Sequence, residues 1–510
     1  MGASTTPARV YARREPEKDV LYRVVAANVE TFAAAAHNAD AAGLPRHVKR
    51  ELYGYLGCGI LAHGAARVAC PSCKDSILVA FSGRGRGFCP SCGARRMSDT
   101  AAHLVDRVFP HVPVRQWVLS LPFRLRFLCA RDPSLLREVL RLFLREVFRS
   151  VRRLLRRDGV RGARCGSVTA VQRFGGNLGL NVHLHSLALD GGFTRGADGA
   201  LVFHELKGLR QDDVARVAAR TAARVTAMLA RRGLGPASQA DEATEEPDLL
   251  TTLHAASVTE RVALGPKAGW RITHVGAGGE HVAAVRVPPS AATLLAEADG
   301  YNVHAGVFVH ARARATLERV CKYILRPPLA RDRLTLGGDG RVFWELKRPY
   351  DDGTTHLAFE PLVFLERLAA LVPPPKSHTV LYHGLLSSHA AWRAEVLPEP
   401  EPVAAPVSDE SPALHQSLVA HAQALAEPVE VVPELRARRL RWAQLLQKVF
   451  GLDILHCDRC GGRREVVAFI VRPAEIQRIC AHLGYPTEPP LIAPARAPPQ
   501  AELWDQRLAG

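Results

Sequence analysis

Two Cys-Pro-Ser-Cys knuckles, Cys70–Cys73 and Cys89–Cys92, are separated by fifteen residues and tie the chain to a metal-built region near its N-terminus. Two such turns place four thiolates within reach of one tetrahedral ion, and a site filled by four protein ligands leaves no position open for a substrate. The spacing therefore predicts one structural Zn²⁺ on Cys70, Cys73, Cys89 and Cys92. A third pair, Cys457 and Cys460, would need two further ligands for a second zinc, and His456 is the nearest candidate. The other five of the eleven cysteines (Cys58, Cys129, Cys165, Cys321 and Cys480) read as small buried hydrophobes.

A chain of 510 residues exceeds one ordinary core, so two to four domains are expected. The net charge of +17 and a pI near 9.7 point to a polyanionic partner. No apolar run is long enough for a membrane span, and the first twenty residues lack the apolar core of a signal peptide. A cytosolic protein that meets nucleic acid is the class these features favour. Residues 20–70 read as helical. Residues 131–158 form a strong helix candidate, opened by Asp132–Pro133 and carrying Arg137, Arg141, Arg145, Arg149, Arg153 and Arg157 at every fourth position. A row of arginines with few acidic partners is either a solvated face or a set of phosphate contacts. Arg84 and Arg86 lie on a Gly-rich frame between the first two knuckles and could touch a DNA backbone. The segment 236–250 is acidic and polar, an expected exposed insertion, and 396–436 is rich in Pro, Glu and Ala, an expected linker.

Residues 166–174 and 178–190 alternate as two strands around the turn Gly175-Gly176-Asn177. The second strand contains His183-Leu184-His185. Alternate residues of a strand share a face, so the imidazoles point the same way, about 7 Å apart at Cα. Such a pair is either two satisfied histidines or part of a metal site. Gln172, brought beside His183 by the hairpin, would complete an open site for Mg²⁺ or Mn²⁺ with positions left for phosphate and water. A nucleophile is then needed. Tyr323 lies in a helical segment stopped by Pro327–Pro328, with Lys322, Arg326, Arg331 and Arg333 near it in sequence. Cations beside a phenol favour phenolate and hold phosphate, although a tyrosine in a basic helix can equally be structural.

Five strings occur in order along the chain: "RGFCPSCGARRM" running on to "RQWVLSLPFRLRFL", "RFGGNLGLNVHLHSLALDGGF", "KYILRPPLA", "LYHGLLSSHAAWR" and "CDRCGG". Together they closely resemble IS91-family (ISCR-like) transposases of bacterial mobile elements, from about residue 20 to 500. The resemblance implies an HUH (His-hydrophobic-His) endonuclease that nicks one DNA strand through a 5′-phosphotyrosine and supports rolling-circle-like transposition. It implies His183 and His185 as metal ligands, Tyr323 as nucleophile, and the knuckle cysteines as an N-terminal zinc-binding domain. Many relatives carry two tyrosines spaced Tyr-x-x-x-Tyr, whereas Arg319 stands four residues before Tyr323 here. Gly83 replaces a cysteine that relatives often have.

The expected architecture is α+β and multidomain. A helical and zinc-knuckle domain (1–110) precedes a central antiparallel-sheet HUH nuclease domain (111–395). The linker (396–436) and a small C-terminal domain with a Pro-rich tail (437–510) follow. DNA, single-stranded at element ends and target, is the expected partner, with Lys322, Arg326 and the arginine row as candidate contacts. The expected setting is the bacterial cytoplasm at the nucleoid. A plasmid replication initiator or relaxase would share the His pair and tyrosine, and a non-catalytic zinc-ribbon DNA-binding protein would need neither.

Overall fold

The computed structural model describes residues 11, 13–83, 85–235, 248–276, 294–398, 446 and 453–496. Helices α1 (Val20–Ala39) and α2 (Arg46–Leu56) lead to a hairpin of β1 (Ala65–Ala69) and β2 (Ser76–Ala80) that turns on the first knuckle. The helical expectation for 20–70 ends at Leu56. Gly64 adopts φ 114°, and a Cβ there would stand 2.6 Å from the Phe81 ring, so only glycine permits the turn into β1. Helix α3 (Pro90–Arg107) starts inside the second knuckle, with Pro90 in its first turn.

Next come β3 (Val114–Ser120), α4 (Phe123–Arg131) and α5 (Pro133–Arg157), then β4 (Gly166–Phe174) and β5 (Leu180–Leu189). The Asp132 carboxylate caps α5 by accepting from the Ser134 N–H at 2.7 Å, as its Asp-Pro start predicts. Strands β6 (Gly191–Arg195) and β7 (Leu201–Glu205) form a ribbon before α6 (Gln211–Arg231) and α7 (Leu249–Val258). The chain continues through β8 (Thr273–Gly276), β9 (Leu295–Ala298), β10 (Tyr301–Val309) and α8 (Arg314–Ile324). It then forms β11 (Leu334–Leu336), β12 (Val342–Glu345), β13 (Thr354–Phe359), α9 (Pro361–Leu371), β14 (Val380–Gly384) and α10 (Arg393–Val396). Strand β15 (Glu465–Ile470) and α11 (Pro473–His482) complete the described elements.

The central sheet has the order β14-β4-β5-β3-β10-β9, and every neighbouring pair is antiparallel. On one face, Leu180, Val182 and Leu184 join Trp117 and Leu119 beneath Phe143 and Val147 of α5 and Val217 and Val225 of α6. On the other, Val168, Ala170, Leu187 and Leu189 pack against Leu104 of α3 and Leu317, Cys321 and Ile324 of α8. Each fully buried side chain of this size contributes roughly 1.5–3 kcal/mol, so both faces are committed to core. The sheet is thus covered twice, and His183 and His185 belong to the α3/α8 side.

The N-terminal helices are not self-contained. Phe32 of α1 and Leu52 of α2 share a core with Trp344, Phe364 and Leu368, so packing runs across the boundary expected near 110. The C-terminal segment also differs from the small separate domain expected at 437–510. Strand β15 pairs with β1, from Ala65↔Ile470 to Ala69↔Glu465, and Ile476 and Cys480 of α11 bury against Leu61 and Leu78. An unpaired β1 edge next to an apolar strand explains the docking: pairing satisfies both rows of backbone groups, and Ile470 of β15 is buried with Leu61 and Leu78. The polar stretch 236–247 and the 399–436 part of the linker lie outside the described residues. The chain is a mixed α and β protein of several antiparallel sheets. Among the described residues no helix is long and apolar enough to cross a membrane.

Candidate active site and thiol clusters

Strand alternation delivers the histidine pair. Leu184 is fully buried on the α5/α6 face, and the imidazoles on the opposite face have ring centroids 4.8 Å apart. His183 Nδ1 lies 2.9 Å from the Asn181 carbonyl, which accepts its proton and leaves Nε2 as a bare lone pair. His185 Nδ1 lies 2.8 Å from the side-chain amide of Gln116, a buried residue of β3. That amide can turn its oxygen to accept the Nδ1 proton, and His185 Nε2 is buried without a hydrogen-bond partner. Burial lowers the pKa of His183, and burial with His183 and Arg326 nearby lowers His185 to about 3. Both rings are therefore neutral, the form in which imidazole binds metal. Gln116, invisible as a site residue in the sequence, orients this ring.

Tyr323 reaches the pair from α8. Burial of Leu317, Cys321 and Ile324 fixes the helix on the sheet and leaves Tyr323 at its rim, 48% exposed. Its ring stands edge-on to His185, centroids 6.0 Å apart at 87°. Gln172 lies opposite His183 in the β4–β5 register. Its amide nitrogen donates to the Ile324 carbonyl at 2.7 Å and the Tyr323 carbonyl at 3.3 Å, satisfying helix-end acceptors. The Gln172 Oε1 remains buried and unpartnered.

Of the four nearby cations, only Arg326 reaches the tyrosine ring, 4.3 Å above its centroid, while donating to the Tyr323 carbonyl at 2.9 Å. Lys322 pairs instead with Glu318 at 2.9 Å. Arg331 pairs with Asp19 at 3.0 Å, and Arg333 stacks on Trp344.

The arginine row is placed elsewhere. Helix α5 covers the sheet face opposite the histidines, so the row does not frame this site. Arg149 lies 3.7 Å from the buried Glu146, which also takes Arg224 at 2.6 Å and Arg220 at 3.9 Å from α6. Arg153 pairs with the buried Asp213, which Arg216 also reaches at 3.4 Å. Arg153 with Asp213, and Glu146 with Arg220 and Arg224, tie α5 to α6, and Arg149 joins Glu146 within α5, whereas Arg141 and Arg145 are exposed. Arg153→Ala is expected to cost about 1–2 kcal/mol in urea unfolding, because the buried Asp213 keeps only Arg216 at 3.4 Å and the Arg210 N–H at 3.1 Å. Arg145→Ala should change stability by less than about 0.5 kcal/mol.

The cations beside the site are others. Arg86, Arg96 and Arg326 line a cleft with Gln172 and Phe174. Glu51 of α2 holds its rim by accepting the N–H groups of Arg86 at 2.9 Å and Gly87 at 2.7 Å. Arg84 lies outside the described residues.

The structure does not bring the four knuckle cysteines together, which corrects the single site read from their spacing. Cys70 and Cys73 meet Cys457 and Cys460, and Cys89 and Cys92 meet Cys58, with sulfurs in each group within 4.8 Å of one another. The hairpin β1–β2 carries the first knuckle away from the second, which is held at the α3 N-terminus. Cys58 is therefore a candidate ligand rather than an inert hydrophobe, and His456 stands outside both groups. The Cys58 and Cys89 thiols, with the Gly85 and Gly83 amides, bring Cys92 far below the ordinary thiol range. Gly83, where relatives often carry cysteine, is thus at the three-thiol cluster. Clustered thiols of this kind suit a structural zinc ion.

These features define a mixed α and β protein whose clustered thiols suit a zinc-binding region. Residues 166–393 match the family described as "Putative transposase", and residues 28–121 match "Transposase zinc-binding domain". The chain belongs to the IS91-family transposases with an N-terminal zinc-binding domain, and DNA is its partner. No curated protein and no solved structure shows significant similarity to it.

Proposed function

We propose that this transposase is an HUH-type nuclease that cuts one strand of single-stranded element-end DNA with Tyr323 and moves it by a rolling-circle-like route. The reading is carried by the edge-on approach of Tyr323 to the buried, neutral His185, whose Nε2 has no partner and whose ring lies against the half-buried His183. The Tyr323 oxygen would bond to phosphorus while the P–O3′ bond breaks. The phenolic proton leaves to solvent, and the departing 3′ oxygen takes one up. The product is a 5′-phosphotyrosyl diester, whose retained bond energy lets a later 3′-OH reverse the step.

His183 and His185, with Gln172 Oε1 as third donor, would hold Mg²⁺ or Mn²⁺. Two imidazoles and an amide oxygen suit such an ion and leave positions for phosphate oxygen and water. When bound, it supplies charge withdrawal from the scissile phosphate. Arg326 would hold that phosphate beside the ring, and Arg86 and Arg96 the neighbouring backbone. The bacterial cytoplasm, at the nucleoid, is the corresponding setting.

Arg319 stands where a second tyrosine would be, so one residue serves both initiation and termination. Incubation of the protein with Mn²⁺ and single-stranded element-end DNA tests this reading. A covalent adduct should survive a denaturing gel and map to Tyr323 alone. An adduct on Tyr301, Tyr350 or Tyr382 would remove the assigned nucleophile.

A further inference from the structure

We propose that Cys70, Cys73, Cys457 and Cys460 bind one zinc ion that clasps the C-terminal segment to the N-terminal zinc-binding region. That region, as its family describes it, ends at residue 121, so half of the ligand set would come from outside it. The inference does not depend on the nicking chemistry.

The two knuckles have the same local build. The Cys70 N–H donates to Asp75 O at 2.8 Å, and the Lys74 N–H to Cys70 O at 2.9 Å. In the second knuckle the Cys457 N–H donates to Gly462 O at 2.8 Å, and the Gly461 N–H to Cys457 O at 2.8 Å. Lys74 and Gly461, the fifth residue of each, both adopt the left-handed backbone, φ 61° and 71°. Each turn thus presents its two sulfurs in the same way, and the two turns face each other.

Across the gap, Cys70 Sγ lies 3.5 Å from Cys460 Sγ, and Cys73 Sγ 3.5 Å from Cys457 Sγ. Four sulfurs about 2.3 Å from one tetrahedral ion would stand about 3.8 Å apart, close to this spacing. A Cβ at Gly462 would meet Cys460 Sγ at 3.2 Å and Cys70 Sγ at 3.6 Å, so glycine leaves that space to sulfur.

The surroundings hold the same geometry. Pairing of β15 with β1 brings Glu465 opposite Ala69, immediately beside both knuckles. Arg464, with only 3% of its side chain exposed, bridges Asp75 at 2.8 Å and Asp458 at 3.4 Å, one carboxylate from each knuckle. Cys73 and Cys457 are 384 positions apart, so the ion would close a loop spanning most of the chain. Cross-links across long loops restrict the unfolded state most.

Zinc counted per full-length chain tests the clasp. Cys70→Ser/Cys73→Ser and Cys457→Ser/Cys460→Ser should each lose one zinc relative to wild type, and the quadruple variant should lose no more than either. Hydrogen exchange should show protection of 465–470 lost in both pair variants, with 180–189 unchanged. A variant expected to fold, Cys460→His, should keep the zinc. Loaded with Co²⁺, it should lose about a quarter of the thiolate charge-transfer intensity from this site. Wild-type zinc content in the 457/460 variant, two zincs lost in the quadruple, disulfides among these four cysteines, or an unchanged Co²⁺ spectrum in Cys460→His would each overturn the proposal.

Discussion

Tyr323→Phe is expected to abolish the covalent DNA adduct and lower strand cleavage by about 10⁴-fold or more, while DNA affinity changes by less than about twofold. The phenylalanine ring keeps the edge-on contact with His185 and the Arg326 stack, so the variant removes one oxygen and little packing. His183→Ala and His185→Ala should give a different signature. Metal-dependent cleavage falls toward background, but binding of the strand survives, because Arg86, Arg96 and the thiol clusters are untouched. Gln172→Ala should be intermediate. It removes the proposed third donor and also the hydrogen bond to the Ile324 carbonyl, while the Tyr323 carbonyl keeps Arg326. Quantified adduct on denaturing gels and fluorescence anisotropy with the same oligonucleotide separate the cases. Persistent adduct in Tyr323→Phe would defeat the assignment.

Leu184→Ala should show the reverse pattern, a large loss of stability with the chemistry preserved. Leu184 is fully buried between the two histidines in sequence but faces the α5/α6 core with Val182 and Trp117. Truncation in such a core costs about 2–5 kcal/mol, the transfer of the lost methyl groups plus the cavity left behind. The urea midpoint should fall accordingly. At low temperature, where the variant remains folded, adduct formed per folded molecule should stay within about tenfold of wild type, because the backing groups Asn181 and Gln116 are unchanged. A variant that folds as well as wild type would mean that Leu184 is not core.

Features with a short period were legible in the sequence. The hairpin of β4 and β5, the shared face of His183 and His185 and the Asp132-capped helix follow from alternation, turn residues and a cap within a few positions of each other. The proline stop after Tyr323 is equally local. The arginine row was legible as a pattern but not as a partner set. Whether Arg153 meets phosphate or Asp213 depends on α6 lying against α5, while Arg149 turns to Glu146 one turn earlier on its own helix. Gln116 and Glu51 carry no signal, because a buried amide or carboxylate becomes a positioning group only through the strand or loop beside it.

By itself, then, the sequence determined the element that carries the histidines, the helix that carries the tyrosine, and the presence of three cysteine knuckles, since each is written within a few residues of chain. Only the tertiary structure decided which knuckle faces which. Spacing joined Cys73 to Cys89 across fifteen residues, but the β1–β2 hairpin separates them, and β15 brings Cys457 to Cys73 from 384 positions away. Sheet pairing acts between distant segments and satisfies whole rows of backbone groups at once, so it overrides the proximity of two knuckles in sequence.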